Sequence, residues 1–128
     1  MFSEANLIED KKSRNIAFLF PGQGSQYVGM GSSFYENFET AREIYDKANE
    51  ILGFDITKLS FEGPIESLTQ TNNTQPAILI HSYIAMTLLK NVGISPVVAL
   101  GHSLGEYASL IAGEVFDFRT ALLLVKER

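Results

Sequence analysis

The residues best equipped for chemistry lie between Pro96 and Gly113, in the run P-V-V-A-L-G-H-S-L-G-E-Y-A-S-L-I-A-G. Ser103 stands between Gly101 and Gly105 in a G-x-S-x-G arrangement. On a sharp turn from strand to helix this spacing makes a nucleophile elbow: the glycines let neighbouring backbone approach, and the serine is strained with its hydroxyl exposed. The start of a helix also supplies unpaired N–H groups and a favourable dipole, which suit an oxyanion forming beside that hydroxyl. A plainer role fits too, because Ser103-Leu104-Gly105-Glu106 has the S-x-x-E spacing of a capping box. A cap, however, has no need of Gly101 or Gly105, and a first-turn glycine costs up to about 1 kcal/mol relative to alanine. The spacing favours a nucleophile, with capping as a compatible second duty.

The elements that would position Ser103 can be read from periodicity. Val97 to Leu100 is a short, wholly apolar run that suits a strand buried on both faces. From Leu104 the pattern changes, with Leu104, Tyr107, Ala108, Ile111 and Ala112 at helical spacing and Gly113 where a left-handed stop would sit. Asn15 to Phe20 is a second apolar strand, ending in Pro21-Gly22-Gln23-Gly24-Ser25-Gln26. A tight loop past the C-terminal end of a strand lies where open α/β sheets bind ligands, although a plain βα turn fits equally. It lacks the Lys-Ser/Thr ending of a phosphate loop.

Ser32 or Ser33 is expected to cap a helix reaching about Leu52, with Phe34, Phe38, Ala41, Tyr45, Ala48 and Leu52 on one face. Its acidic residues (Glu36, Glu39, Glu43, Asp46, Glu50) read as a solvated face rather than a metal site, and Gly53 ends it. Phe54 to Asn73 reads as irregular, with one short turn led by Pro64 at a first helical position and with Phe54 and Phe61 packed beneath it. Thr74-Gln75-Pro76 opens a long helix to Lys90 or Asn91, apolar nearly all round, and His81 on it reads as a structural histidine. Asp117 is placed to cap a last helix from Phe118 to Arg128. Met1 to Arg14 reads as a polar lead-in with at most a helical turn around Ala5 to Glu9.

Composition narrows the partners. A net charge of −5 with no basic patch argues against nucleic acid. There are no cysteines, and two histidines far apart in sequence do not make a metal site. No apolar run approaches a membrane span and the N-terminus is not a secretory signal, so no membrane partner and a cytoplasmic location are expected. Two strands leading into helices are only part of a doubly wound parallel sheet, so the chain reads as incomplete. A sheet left unfinished would expose an edge and an apolar face, and self-association is expected.

Three motifs in order, F-L-F-P-G-Q-G-S-Q at Phe18 to Gln26, T-Q-P-A at Thr74 to Ala77 and G-H-S-L-G-E-Y at Gly101 to Tyr107, resemble malonyl-CoA:acyl-carrier-protein transacylases. The similarity covers residues 15 to 128. It implies an α/β, α/β-hydrolase-like acyltransferase domain with a partial parallel sheet, truncated before the later strands and small subdomain. It also implies transfer of malonyl from malonyl-CoA to the phosphopantetheine thiol of acyl carrier protein, through an acyl-serine, in fatty-acid synthesis. Ser103 corresponds to the nucleophile, and the N–H groups of Gln23 and Leu104 to the oxyanion hole. Arg128 corresponds to the arginine that grips the malonate carboxylate; a helix-end arginine complementing the dipole is the plainer alternative. Gln23 and His102 stand with Arg128 around the substrate, and His102 is not the base. No cofactor or metal is implied. The family's catalytic histidine has no counterpart in these 128 residues, so the chain alone is expected to be nearly inactive. Alternatives are a polyketide-synthase acyltransferase domain, a serine thioesterase or hydrolase fragment, and a non-catalytic carrier-binding module.

Overall fold

Two short apolar runs pair as parallel strands in the structure, a computed structural model that describes residues 15–128. The lead-in proposed for residues 1–14 lies outside the described residues. Strand β1 (Ala17–Phe20) pairs in parallel with β2 (Val98–Gly101), with Phe18 opposite Ala99 and Phe20 opposite Gly101. Between them run helices α1 (Ser32–Asn37), α2 (Glu39–Leu52), α3 (Ile56–Glu62), α4 (Ile65–Leu68) and α5 (Thr71–Asn91). After β2 come α6 (Gly105–Ala112) and α7 (Phe118–Glu127). This is the expected α/β arrangement with a partial parallel sheet.

Side chains alternate across the sheet. Phe18 and Phe20 point into the core, where α6 packs, together with the partner positions Ala99 and Gly101. The opposite face carries Ala17, Leu19, Val98 and Leu100, and Leu19 is 71 % and Leu100 57 % exposed. The expectation that Val97 to Leu100 is buried on both faces is therefore corrected. The apolar run marks a strand, but among the described residues helices cover only one side of it.

The second core layer is helical. α2, α5 and α7 pack around Tyr45, Ile80, Ile84, Ala121 and Leu122, all fully buried. Tyr83 of α5 stacks on Phe118 of α7 at 4.3 Å between ring centroids. The Asp117 cap forms as expected, its carboxylate accepting from the Thr120 N–H at 2.7 Å.

Several local expectations need correction. The helix from Ser32 or Ser33 to Leu52 is two helices, broken at Phe38, whose backbone is extended (φ −130°, ψ 122°). Arg42 Nη1 donates to the Tyr35 carbonyl at 2.8 Å, satisfying the C-terminal end of α1 and stabilising the break. The cap position before α1 is Gly31, not a serine hydroxyl. Phe54 to Asn73 is largely helical: Asp55 caps α3 through the Lys58 N–H, Pro64 is the cap residue of α4, and α5 starts at Thr71. Phe61 packs edge-on against Tyr35 and Tyr45, whereas Phe54 is exposed. Finally, α6 stops with Glu114, not Gly113, in the left-handed region (φ 61°), and the Val115 N–H reaches the Leu110 carbonyl.

Candidate active site

The corner between β2 and α6 is built by steric exclusion. A Cβ on Gly101 would collide with the backbone of Gly105 and Glu106, and one on Gly105 with the carbonyl of Phe20 at the end of β1. Both positions must be glycine for strand, turn and helix to approach this closely. Between them Ser103 adopts φ 53°, a left-handed conformation rare for a residue with a side chain. Leu104 and Gly105 behind it are buried, whereas Ser103 and His102 are exposed.

No side-chain cap closes the start of α6; its first residue pairs instead by backbone, the Gly105 N–H to the His102 carbonyl at 2.9 Å. The Glu106 N–H likewise meets the Ser103 carbonyl at 3.0 Å. The capping-box reading of Ser103 therefore fails: the left-handed backbone that exposes the hydroxyl takes it away from the amides a cap would satisfy.

The loop after β1 meets this corner directly. The His102 N–H donates to the Phe20 carbonyl at 3.2 Å, continuing the strand pairing one residue past β2. Gly22 lies against the elbow so closely that a Cβ there would sit 2.6 Å from the His102 carbonyl oxygen. Residues 21–26 are tied to themselves by Ser25 Oγ donating to the Gly22 carbonyl and the Gly24 N–H donating to Gln26 Oε1. Among the described residues, the backbone N–H groups of Gln23 and Leu104 have no hydrogen-bond partner. An exposed hydroxyl and two unpaired N–H groups thus sit on adjoining turns, the parts that acyl transfer through an ester uses.

A strand, a glycine-bracketed serine and a second glycine loop in this arrangement match the acyl transferase domain family, whose profile covers residues 17–128. The chain belongs to that family. The acyl transferase chain is 46 % identical over 113 residues to the malonyl CoA-acyl carrier protein transacylase of Bacillus subtilis strain 168, covering 88 % of this chain and 36 % of that protein. It is 45 % identical over 116 residues to the polyketide biosynthesis malonyl CoA-acyl carrier protein transacylase of the same strain, covering 88 % of this chain and 38 % of the other. The crystal structure of malonyl-CoA:acyl carrier protein transacylase from Helicobacter pylori superposes with a TM-score of 0.85 at 46 % identity, over 91 % of this chain and 38 % of that one. The acyl transferase chain therefore spans little more than a third of the length of these relatives.

Other residues singled out from the sequence fall into two groups. Arg128 follows α7 and its guanidinium lies over the ring of Tyr107, 5.7 Å from the centroid, which brings it to the flank of α6 beyond Ser103. His81 is set apart. It packs on Phe34 with ring centroids 5.2 Å apart and planes tilted by 36°, its Nδ1 is buried without a hydrogen-bond partner, and burial holds its pKa below the ordinary imidazole value. The partial burial agrees with the structural reading of this histidine, although its Nδ1 is left unsatisfied. Among the described residues no group of three or more potential ligands could hold a metal ion, and no helix is long and apolar enough to cross a membrane.

The sequence reading missed how Gln23 is held. Its side-chain amide is gripped at both polar atoms by the first turns of α5: Nε2 donates to Thr71 Oγ1 and Oε1 accepts from Gln75 Nε2, each at 3.3 Å. With the helix begun at Thr74 rather than Thr71, the two gripping residues did not share a face. A start after Gln70 puts them four residues apart, and the polar run T-N-N-T before the apolar stretch was the available signal.

Proposed function

We propose that the protein containing this chain transfers a malonyl group from malonyl-CoA to the phosphopantetheine thiol of acyl carrier protein, with Ser103 as the acyl acceptor. The observation that carries this reading is the backbone of Ser103: a left-handed serine between two sterically obligatory glycines. In the first step the Ser103 hydroxyl adds to the thioester carbonyl, its proton passes to a base, and CoA leaves as the thiol. In the second the carrier thiol attacks the acyl-serine and regenerates the hydroxyl. The N–H groups of Gln23 and Leu104 would stabilise the oxyanion in both steps.

Arg128 would hold the free carboxylate of malonate by paired hydrogen bonds, with Tyr107 beneath it limiting its rotamers. Charge-assisted bonds of this sort contribute about 1.5–3 kcal/mol. Replacing Arg128 by alanine is therefore expected to cut the preference for malonyl-CoA over acetyl-CoA by about ten- to a hundred-fold, read as the ratio of kcat/KM for the two thioesters.

Among the described residues no hydrogen bond joins Ser103 Oγ to His102 or His81, and His81 packs on Phe34. Residues 1–128 alone are accordingly expected to acylate slowly, a serine without its base being a weak nucleophile. The test is mass spectrometry of the full-length gene product and of residues 1–128 after mixing with malonyl-CoA. A malonyl increment on Ser103 is expected at once in the former and slowly in the latter. No increment in the full-length product would refute the proposal.

The relative active in polyketide biosynthesis is as similar as the other curated one, so a polyketide carrier is the second reading. Rates measured with a fatty-acid carrier and a polyketide carrier would separate the two.

A further inference from the structure

Gln75 is buried, at 8 % exposure, and a buried amide needs hydrogen-bond partners. Its Nε2 donates to Gln23 Oε1, and Gln23 Nε2 donates in turn to Thr71 Oγ1. Thr71 and Gln75 lie one turn apart at the start of α5, a 21-residue helix whose body is core. The bonds of residues 21–26 to themselves shape the loop but leave the Gln23 side chain unheld. The grip on the Gln23 amide joins that loop to α5, while the Gln23 backbone N–H stays unpaired.

We propose that Gln75, seconded by Thr71, is a positioning residue: by holding the Gln23 side chain it fixes the Gln23 peptide plane and keeps that N–H aimed at the carbonyl oxygen to be bound at Ser103. The inference rests on Ser103 being the acyl acceptor. It also gives Gln75, the glutamine of the T-Q-P-A stretch, a task that core packing does not.

The grip should act on the chemical step, because the N–H it aims meets an oxyanion that exists only beyond the ground state. The experiment compares, in the full-length gene product, wild type with Gln75→Met, Thr71→Val, Thr71→Ser, Gln23→Ala and the double variant Gln23→Ala/Gln75→Met. The readouts are the single-turnover rate of Ser103 acylation and the concentration of malonyl-CoA giving half that rate. Gln75→Met keeps the volume and is expected to slow acylation about ten- to a hundred-fold, with half-saturation unchanged. Thr71→Val is expected to slow it less, and Thr71→Ser, which keeps the hydroxyl, to restore it. In the Gln23→Ala background Gln75→Met should add nothing, since the link is already cut.

Additive losses in the double variant, a change confined to half-saturation, or wild-type rates in Gln75→Met would overturn the inference. Should Gln75→Met fail to fold, the exposed Thr71 pair decides: equal rates for valine and serine would overturn it, and rescue by serine alone would sustain it. A wild-type protein that malonyl-CoA never acylates would strike the proposed function and this inference together, whereas acylation indifferent to Gln75 and Thr71 strikes only this one.

Discussion

Ser103 is held at a backbone angle that costs a residue with a Cβ roughly 1–2 kcal/mol. A glycine there would relieve that strain while adding flexibility to the unfolded chain, which offsets about half of the gain. Ser103→Gly is therefore expected to raise stability by about 0.5–1 kcal/mol and to abolish acylation. Urea denaturation of residues 1–128, with mass analysis for the acyl group, reads both. A loss of stability would mean that the serine hydroxyl makes a stabilising bond after all. The strain at residue 103 was legible from sequence because only a tight corner needs two glycines at that spacing. The grip on Gln23 was not, since a hydrogen bond between residues 52 apart in sequence leaves no local pattern.

At the scale of elements, the β2–α6 corner depends on backbone passing where a methyl group would otherwise be. Gly105→Ala would force that methyl into the Phe20 carbonyl. Overpacking against rigid backbone is expected to cost about 3 kcal/mol, measurable as a lower urea midpoint. His81 on α5 supplies a pH dependence. Its folded pKa is lowered by burial, so the native state binds its proton less readily than the unfolded chain does. Its contribution to stability is full above the ordinary imidazole pKa and is lost as pH falls toward the lowered one. Between about pH 7.5 and 5.5 the wild type should lose stability more steeply than His81→Leu. Equal slopes would show that the imidazole titrates freely. The strands and the bodies of α5, α6 and α7 were readable from their apolar period, and in α7 the Asp117 cap agreed with it. The break at Phe38 was not, because the apolar spacing runs straight across it and the residue that settles the turn, Arg42, comes four positions later. The short helices α3 and α4 were missed because seven and four residues are too few for a helical stripe to show.

The whole molecule has one covered and one open side. Ala17 sits directly beside Val98 and Leu19 beside Leu100, forming an apolar strip on the face that helices leave bare among the described residues. The sequence reading foresaw an exposed edge and face from the number of strands alone, although it took the β2 run itself as buried. Residues 1–128 on their own are expected to self-associate through this strip. Sedimentation velocity should show a concentration-dependent increase in mass for the wild type, and a largely monomeric species once Leu19→Lys and Leu100→Lys are combined. Association undiminished by both lysines would place the contact elsewhere.

The two glycine turns are cut to receive one another's carbonyls: the oxygen of Phe20 rests where a side chain of Gly105 would be, and the oxygen of His102 where one of Gly22 would be. Each turn thus acts as the other's latch, and neither can swing outward without dislodging its counterpart. Amide protons of His102 and Gly105, which donate to the Phe20 and His102 carbonyls, should in consequence exchange with solvent through a single shared opening of one common free energy, and not as two independent flickers of the chain.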